Sequence, residues 1–338
     1  MKAGKLPHDL LVGLLARLPD DPRLLLGPGV GRDAAAIDMG NGRVLVATAD
    51  PVTFATDQIG RYAVYVNAND IACLGATPTW FLATVLLPEG TPETLAEEIF
   101  EQIRTACDEL SVIPIGGHTE ITIGIDHPII SGTMLGETTE ERLVRPGDGR
   151  PEDHILLTAG IAIEGTALLA REAADTLRSA GVSPDVIEAA AKWLEDPGIS
   201  IVAAAGSALA TGHVRALHDP TEGGLSTALS ELAYASDLAA SVRVEDVLVL
   251  AETSKICDAL RLDPLGLLAS GSLLIVAAPE DCASIIERLE NEDIRATCIG
   301  DLTSGERGAI IDRRSQRPLP RFERDELARF LEALEESG

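Results

Sequence analysis

Lysine is nearly absent from this chain of 338 residues and occurs only at positions 2, 5, 192 and 255. Aspartate and glutamate total 54 against 27 lysines and arginines, which gives a formal net charge of −27. Binding to nucleic acid needs a basic surface that displaces counterions from phosphates. The composition therefore argues against a nucleic-acid partner. It suits either a salt-rich cytoplasm or the residue bias of a high-GC genome.

Long apolar runs are also missing. A membrane helix needs roughly 20 consecutive apolar residues, and the longest apolar stretches here, such as 265–268 and 273–278, are much shorter. The opening MKAGKLPHDLL has no apolar signal region. The five cysteines are odd in number, widely spaced and set among apolar residues, which is typical of buried free thiols in a reducing compartment. We expect a cytoplasmic protein without a membrane segment or a disulfide framework.

Helix-like and strand-like segments alternate along the whole chain, which predicts an α/β or α+β fold. The length allows roughly two domains. The segment Arg145–Asp153, RPGDGRPED, is dense in proline, glycine and charge, and the pattern of strands and helices starts again after it. We therefore predict one domain at residues 1–150 and another at residues 151–338.

Several local patterns predict particular elements. Asn41-Gly42 between two apolar runs predicts a β-hairpin. Residues 59–74 and 92–110 predict helices, with Thr91 as a candidate cap of the second. Residues 112–115 predict a short strand that ends in a turn at Gly116-Gly117-His118.

Aspartates stand on or near glycine-rich or polar turns at Asp33, Asp50 and Asp219, and Asp70 stands in an apolar helix. Bare carboxylates repel a nucleoside triphosphate, so they help to bind it only when a hard cation lies between the two. Magnesium prefers oxygen ligands and commonly bridges carboxylates to phosphates. These four aspartates are therefore candidate ligands of a magnesium ion that carries ATP.

Three of these aspartates also have an ordinary structural interpretation. Asp33 could stabilise its turn, Asp50 precedes Pro51 in a common turn pair, and Asp219 could cap the helix predicted from Leu225. Asp70 favours function because an unpaired buried carboxylate is costly. No GxxxxGK[ST], GxSxG, HExxH or paired CxxC motif occurs, which excludes an ordinary P-loop.

Further residues are candidates around the aspartates. Gly223-Gly224 opens a predicted helix whose N-terminus favours anions. His118 is a candidate acid–base residue because histidine titrates near neutral pH, and it could equally be a structural histidine at a strand end. Glu120 could assist it or belong to the polar face of a strand.

The ordered set GVGRDAAAID, TADPV, YVNANDIACLGATP, IGGHTE, GTMLGE, HDPTEGGL and PLGLLASGSLLIV resembles the AIR synthase (PurM-like) superfamily. The resemblance is greatest to HypE-type carbamoyl dehydratases and HypE-like AIR synthase-related proteins, and it extends from Lys5 to about Ile311. It implies a two-domain PurM-like fold, in which an N-terminal sheet domain dimerises into a β-barrel and a C-terminal α/β domain follows. It also implies ATP-dependent phosphorylation of a substrate or of an amide-type or acid-type oxygen.

By the same resemblance, Asp33, Asp50 and Asp70 would bind Mg²⁺ and ATP with Asn67 nearby, and Asp219, Gly223 and Gly224 would be the contribution of the second domain. Lys5 is a further candidate phosphate contact. The third turn, Gly116-Gly117, usually precedes an acid, and here it precedes His118, with Glu120 two residues later. HypE enzymes end with a cysteine that carries the carbamoyl group. The last cysteine here is Cys298, which argues against standard cyanide-ligand synthesis.

Three functions remain open from the sequence. The first is an ATP- and Mg²⁺-dependent enzyme that acts on a small-molecule or carbamoyl-type substrate, with His118 and Glu120 as catalytic candidates. The second is a kinase of the thiamine-monophosphate type. The third is a catalytically inactive nucleotide-binding partner in a maturation complex. In each case the resemblance implies a homodimer.

Overall fold

A computed structural model of the chain describes residues 6–53 and 55–335. The chain divides into two compact units. The first domain consists of Asp20–Gly27 and Asp33–Leu143, and the second consists of residues 6–19, Pro28–Arg32 and residues 144–335. Both units mix helices with strands, which confirms the predicted mixed α/β fold with two domains.

Helix α1 (His8–Leu15) opens the described chain and belongs to the second domain. The elements of the first domain are β1 (Leu24–Leu26), β2 (Ala35–Asp38), β3 (Arg43–Thr48), β4 (Pro51–Val52), α2 (Ile59–Cys73), β5 (Thr77–Pro88), α3 (Glu93–Leu110), β6 (Ile113–Thr122) and β7 (Ile129–Thr139).

The first domain is built on one sheet with the strand order β1-β2-β3-β7-β5-β6, and β4 pairs with β7. Only β5 and β6 run parallel among these pairs. Asn41 and Gly42 have φ angles of 58° and 72°, so the predicted hairpin between β2 and β3 is confirmed. Helix α2 is buried along almost its whole length, and side chains such as Tyr62, Phe81 and Met134 fill the core of this domain.

Two local predictions in the first domain were wrong. Gly116 and Gly117 do not form a turn, because β6 continues through them to Thr122 with φ angles of 146° and 149°. A Cβ atom at Gly117 would lie 2.0 Å from the backbone oxygen of Ala83 on β5, so only glycine fits there. Thr91 does not cap α3, because its hydroxyl donates to the carbonyl of Pro88 over 2.7 Å.

The second domain carries the remaining elements. They are β8 (His154–Thr158), α4 (Ile163–Glu172), α5 (Ala174–Ser179), α6 (Pro184–Ala191), α7 (Val202–Leu209), β9 (Val214–His218), α8 (Gly224–Ala235), β10 (Ala239–Val242), α9 (Ala251–Leu260), β11 (Leu274–Ala277), α10 (Cys282–Glu290), β12 (Ala296–Thr303), β13 (Ile310–Asp312) and α11 (Glu326–Glu335).

The sheet of the second domain has the strand order β13-β10-β12-β8-β11-β9. One face of α8 packs on it, and side chains from both form a continuous core that includes Ile155, Leu229, Leu232 and Val276. Burial of such aliphatic side chains stabilises a domain by about 25 cal/mol per Å² of apolar surface removed from water. This core fixes the start of α8 beside the end of β9.

Two expectations from composition can be compared with the structure. None of the helices in the described ranges is both long and apolar enough to span a membrane. The five cysteines are free thiols, and four of them are buried, while Cys298 is partly exposed. The prediction of unpaired thiols is therefore confirmed.

Candidate functional site

Helix α2 brings two polar side chains into the core of the first domain. Asn67 and Asp70 are three residues apart, which places them on one face of the helix. Asn67 is fully buried and Asp70 is 3% exposed. Burying a carboxylate or an amide is costly unless hydrogen bonds compensate, so their partners decide what this face of the helix does.

The amide of Asn67 is paired with the backbone of Asp50, just beyond the end of β3. The Asp50 N–H donates to Asn67 Oδ1 over 3.0 Å, and Asn67 Nδ2 donates to the Asp50 carbonyl over 3.2 Å. The N–H of Gly132 on β7 donates to the same carbonyl over 2.9 Å. These three bonds hold the Asp50 backbone in place while leaving its carboxylate on the exposed side.

The carboxylate of Asp70 is paired with Thr48, the last residue of β3. Thr48 Oγ1 lies 2.7 Å from Asp70 Oδ2 and 2.8 Å from the backbone oxygen of Asp33. Thr48 is itself buried. Asp33, Asp50, Asn67 and Asp70, which the sequence analysis singled out, are therefore linked within the first domain through one amide and one hydroxyl.

The oxygen-rich character of this site fits a hard cation such as Mg²⁺. Asp50 is exposed, Asp33 is partly exposed and Asp70 is buried. Among the described residues of the first domain, no three acidic side chains bring their oxygens within 4.8 Å of one another. One or two of these carboxylates would hold a magnesium ion here, and the ion would neutralise the charge of bound phosphates.

His118 and Glu120 lie on a different part of the first domain. They stand two residues apart on β6, the edge strand, with His118 Nε2 3.1 Å from Glu120 Oε2. The register of the sheet runs from Pro51 through Ser131 and Thr84 to His118. His118 therefore lies three strand spacings from Pro51, which is roughly 14 Å. The structure thus does not bring His118 and Glu120 to Asp50 within one chain.

The edge strand β6 is exposed along nearly its whole length. Its large apolar side chains Ile113, Ile115 and Ile121 are 57%, 51% and 57% exposed. An edge strand that is long, apolar and uncovered offers a row of backbone groups to another chain. Gly116 and Gly117 lie within this strand, so their assignment to the nucleotide stays a prediction.

In the second domain, β9 leads into the predicted turn that contains Asp219. Asp219 is 2% exposed and does not cap α8, because the cap position is Gly223, without a side-chain hydrogen bond. Gly223 and Gly224 have φ angles of 81° and 61°. A Cβ atom on Gly224 would lie 2.5 Å from the carbonyl oxygen of Leu265, so this turn requires glycine.

The backbone donor at the start of α8 already has an acceptor within the second domain. The Gly223 N–H donates to Asp325 Oδ2 over 2.7 Å, and the Leu327 N–H donates to Asp325 Oδ1 over 2.7 Å. Asp325 lies just before α11. Burial raises its pKa to about 6, against the effect of these backbone donors. The role of Gly223 and Gly224 in binding a nucleotide therefore also stays a prediction.

A second buried acid in this domain was not foreseen from the sequence. Glu164, in the first turn of α4, is 6% exposed, and its Oε2 has no hydrogen-bond partner in the part of the chain that the structure describes. Burial raises its pKa to about 7, and the nearby Asp325 and Glu222 carboxylates add to the shift, whereas Ser270 opposes it. Lys5, the remaining candidate from the sequence, lies outside the described residues.

Two family models match this chain. The model described as "AIR synthase related protein, N-terminal domain" matches residues 31–138, and the model described as "AIR synthase related protein, C-terminal domain" matches residues 150–313. The chain belongs to the AIR synthase-related family. The matched residues of this family member include Asp33, Asp50, Asp70 and Asp219.

Curated relatives of this family member extend over most of its length. A putative hydrogenase expression/formation protein of Methanocaldococcus jannaschii is 30% identical over 289 residues, which cover 83% of this chain and 82% of that protein. The carbamoyl dehydratase HypE of Rhizobium leguminosarum bv. viciae is 27% identical over 338 residues, covering 94% of this chain and 92% of that protein.

A solved structure of the hydrogenase maturation protein HypE in complex with ATP has the same fold. Its TM-score is 0.71 at 24% identity, and the match covers 91% of this chain and 92% of that one. The two-domain fold expected from the resemblance is therefore confirmed.

Proposed function

We propose that this protein binds ATP with Mg²⁺ and transfers the γ-phosphoryl group to an oxygen of a small-molecule or carbamoyl-type acceptor. The observation that carries the proposal is that Thr48 bonds both the Asp70 carboxylate and the Asp33 backbone, while Asn67 holds the Asp50 backbone, all within the first domain. The relation to the HypE carbamoyl dehydratase and to a HypE structure with bound ATP supports it.

In the proposed reaction, the acceptor oxygen forms a bond to the γ-phosphorus. The bond from that phosphorus to the β,γ-bridging oxygen breaks, and ADP leaves with the bonding electrons. A bound Mg²⁺ would neutralise charge on the phosphates during this step. The residues of the chain position the participants: the exposed Asp50 and the partly exposed Asp33 would supply carboxylates, and Asn67 holds the Asp50 backbone in one place. Asp219, Gly223 and Gly224 are proposed contributions of the second domain.

A homodimer is part of the proposal. The uncovered strand β6, with its exposed isoleucines, would pair with a second copy of the same chain. His118 and Glu120 lie on this strand, so pairing would change their surroundings. They remain the proposed acid–base residues, and their 3.1 Å contact lets the carboxylate orient the imidazole.

A second candidate function is a nucleotide-binding partner in a maturation complex. The name of the Methanocaldococcus jannaschii relative, a hydrogenase expression/formation protein, favours it. Such a protein would bind ATP but would not turn it over with any acceptor.

Formation of ADP distinguishes an enzyme from a binding partner, and the product of the acceptor distinguishes the two kinds of enzyme. Purified protein with ATP and Mg²⁺ is incubated with carbamoyl-type acceptors and with small hydroxyl or phosphomonoester acceptors, including thiamine monophosphate. ADP with a dehydrated carbamoyl product supports the dehydratase, and ADP with a stable phosphorylated product supports a kinase. Asp70→Asn should abolish either turnover. The exposed acid Asp108 on α3, exchanged for asparagine, is the matched control and should leave turnover unchanged.

Tight nucleotide binding without turnover for any acceptor would favour the partner protein over the enzyme. Turnover by the Asp70→Asn variant at the rate of the unmodified protein would contradict the proposed site.

A further inference from the structure

The hydroxyl of Thr48 has one proton and lies within hydrogen-bond distance of two acceptors. Its oxygen lies 2.7 Å from Asp70 Oδ2 and 2.8 Å from the carbonyl oxygen of Asp33. A threonine hydroxyl has a single O–H donor, so it can donate to only one of these oxygens at a time. The two contacts are nearly equal in length, and neither acceptor is favoured by distance.

The surroundings of Thr48 make this choice of acceptor consequential. Thr48 is 7% exposed and Asp70 is 3% exposed, so water contributes little to either group. A hydrogen bond to a charged group contributes more when water is excluded, and an unmade one costs more. The hydroxyl therefore links the carboxylate on α2 to the backbone that carries Asp33.

The position of Thr48 in β3 does not explain the hydroxyl. A β-branched residue suits a strand, but valine would satisfy that preference with the same shape. Within the same sheet, Thr138 on β7 also uses its hydroxyl, which donates to the carbonyl oxygen of Gly75 over 2.8 Å. Thr138 touches no carboxylate through that bond, so it provides a matched comparison.

We propose that Thr48 is a positioning residue that couples Asp70 to Asp33 during cation binding. This inference rests on the proposed function, because it assigns a role in the same magnesium site. With a cation bound at Asp70, Oδ2 would be a poorer acceptor. Thr48 Oγ1 would then donate to the Asp33 carbonyl and hold the backbone that carries the second carboxylate.

Binding of Mn²⁺ alone, followed by electron paramagnetic resonance without nucleotide, tests this role. Mn²⁺ serves as the probe because it takes the same oxygen ligands as Mg²⁺. Thr48→Val should bind Mn²⁺ about tenfold more weakly, as expected for the loss of a hydrogen bond to a charged group. Thr48→Ser keeps the hydroxyl and should restore binding to within about twofold. Thr138→Val should bind Mn²⁺ as the unmodified protein does.

The outcomes separate positioning from general stability. Equal Mn²⁺ affinity of Thr48→Val and the unmodified protein overturns the inference, as does an equal loss in Thr138→Val. If the valine variant does not fold, Thr48→Cys, whose thiol is only a weak donor, takes its place in the same comparison.

The unmodified protein gives the remaining outcomes. Binding of Mn²⁺ that depends on Thr48, without any binding of ATP, would overturn the proposed function but leave the coupling intact. The absence of Mn²⁺ binding by the unmodified protein overturns the coupling itself.

Discussion

Asn67 and Asp50 form a reciprocal pair: the side-chain amide of Asn67 accepts from the Asp50 N–H over 3.0 Å and donates to the Asp50 carbonyl over 3.2 Å. Asn67 Nδ2 also donates to the Ala63 carbonyl, one turn earlier on α2, over 2.8 Å. This side chain thus ties the buried helix to the segment that follows β3. The candidate site depends on this tie because it fixes where the Asp50 carboxylate stands.

Replacing Asn67 with leucine should destabilise the first domain. Leucine has a similar size but no polar atoms, so the Asp50 N–H loses its acceptor. We expect the free energy of unfolding to fall by about 0.5–1.5 kcal/mol, the usual net contribution of a hydrogen bond. Urea unfolding followed by circular dichroism measures it. Asn291→Ala, at an exposed position after α10, should change stability by less than about 0.5 kcal/mol, and an equal effect of both variants would contradict this role of Asn67.

Gly132→Ala should weaken the same arrangement from the β7 side. A Cβ atom at Gly132 would lie 2.4 Å from Asn67 Nδ2 and 2.8 Å from the Phe81 ring. Forcing a methyl group into a packed core costs about 1–3 kcal/mol, and here it also displaces the amide that holds Asp50. The temperature of thermal unfolding and the affinity for ATP should both fall.

Gly206→Ala is the matched control for this substitution. Gly206 lies within α7, and a Cβ atom there would meet nothing within 4 Å. Alanine should stabilise that helix by roughly 0.5–1 kcal/mol. A Gly132→Ala protein that unfolds at the same temperature as the unmodified one would show that the contact is not restrictive.

Glu164→Gln should change how stability depends on pH. The pKa of Glu164 rises from 4.5 to about 7 on folding, so the folded state holds this proton more tightly. The stability that the group contributes is present below its unfolded pKa and is lost as pH rises toward its folded pKa. Glutamine stays neutral at every pH. The free energy of unfolding of the variant, minus that of the unmodified protein, should therefore rise by up to about 3 kcal/mol between pH 4.5 and pH 8.

Chemical unfolding of both proteins at the two pH values measures this difference, and other titrating groups cancel in the comparison. If the free energies of unfolding of Glu164→Gln and the unmodified protein differ by the same amount at both pH values, the raised pKa of Glu164 is contradicted.

Ile115→Lys should disrupt the proposed homodimer. Ile115 is 51% exposed on the edge strand β6, and a lysine on an edge strand opposes pairing with another strand. Light scattering should give the mass of two chains for the unmodified protein and of one chain for the variant. Ile311→Lys, on β13 of the second domain, is the control and should remain dimeric. An unmodified protein that is monomeric at all concentrations would contradict the proposed pairing.

The sequence predicted the regular elements of this fold well where their periodicity was strong. The buried helix α2 and the amphipathic helix α3 were found within about two residues of their ends, and the Asn41-Gly42 hairpin follows from turn chemistry. Short elements such as β1 and β13 have three residues each, too few for a period to show. The glycines of β6 misled the prediction because glycine occurs not only in turns but also inside strands, where another backbone approaches closely.

The site was predicted only in part, for a physical reason. Asn67 and Asp70 are polar residues in an apolar helix, which is a conspicuous pattern. Thr48 and Gly132 carry no such signal, since a threonine in a strand and a glycine in a sheet are ordinary. Asp325 lies 102 residues from the Gly223 N–H that it accepts from, and no local pattern reports so distant a contact.

Titration calorimetry of ATP tests the central claim most directly, with Mg²⁺ present and absent, for the unmodified protein and for Asp70→Asn. The account predicts micromolar binding that requires Mg²⁺ and that Asp70→Asn weakens at least about tenfold, because a charged ligand of the cation is lost. Asp108→Asn should bind as the unmodified protein does. An unmodified protein that binds neither ATP nor ADP in the presence of Mg²⁺ would contradict the account.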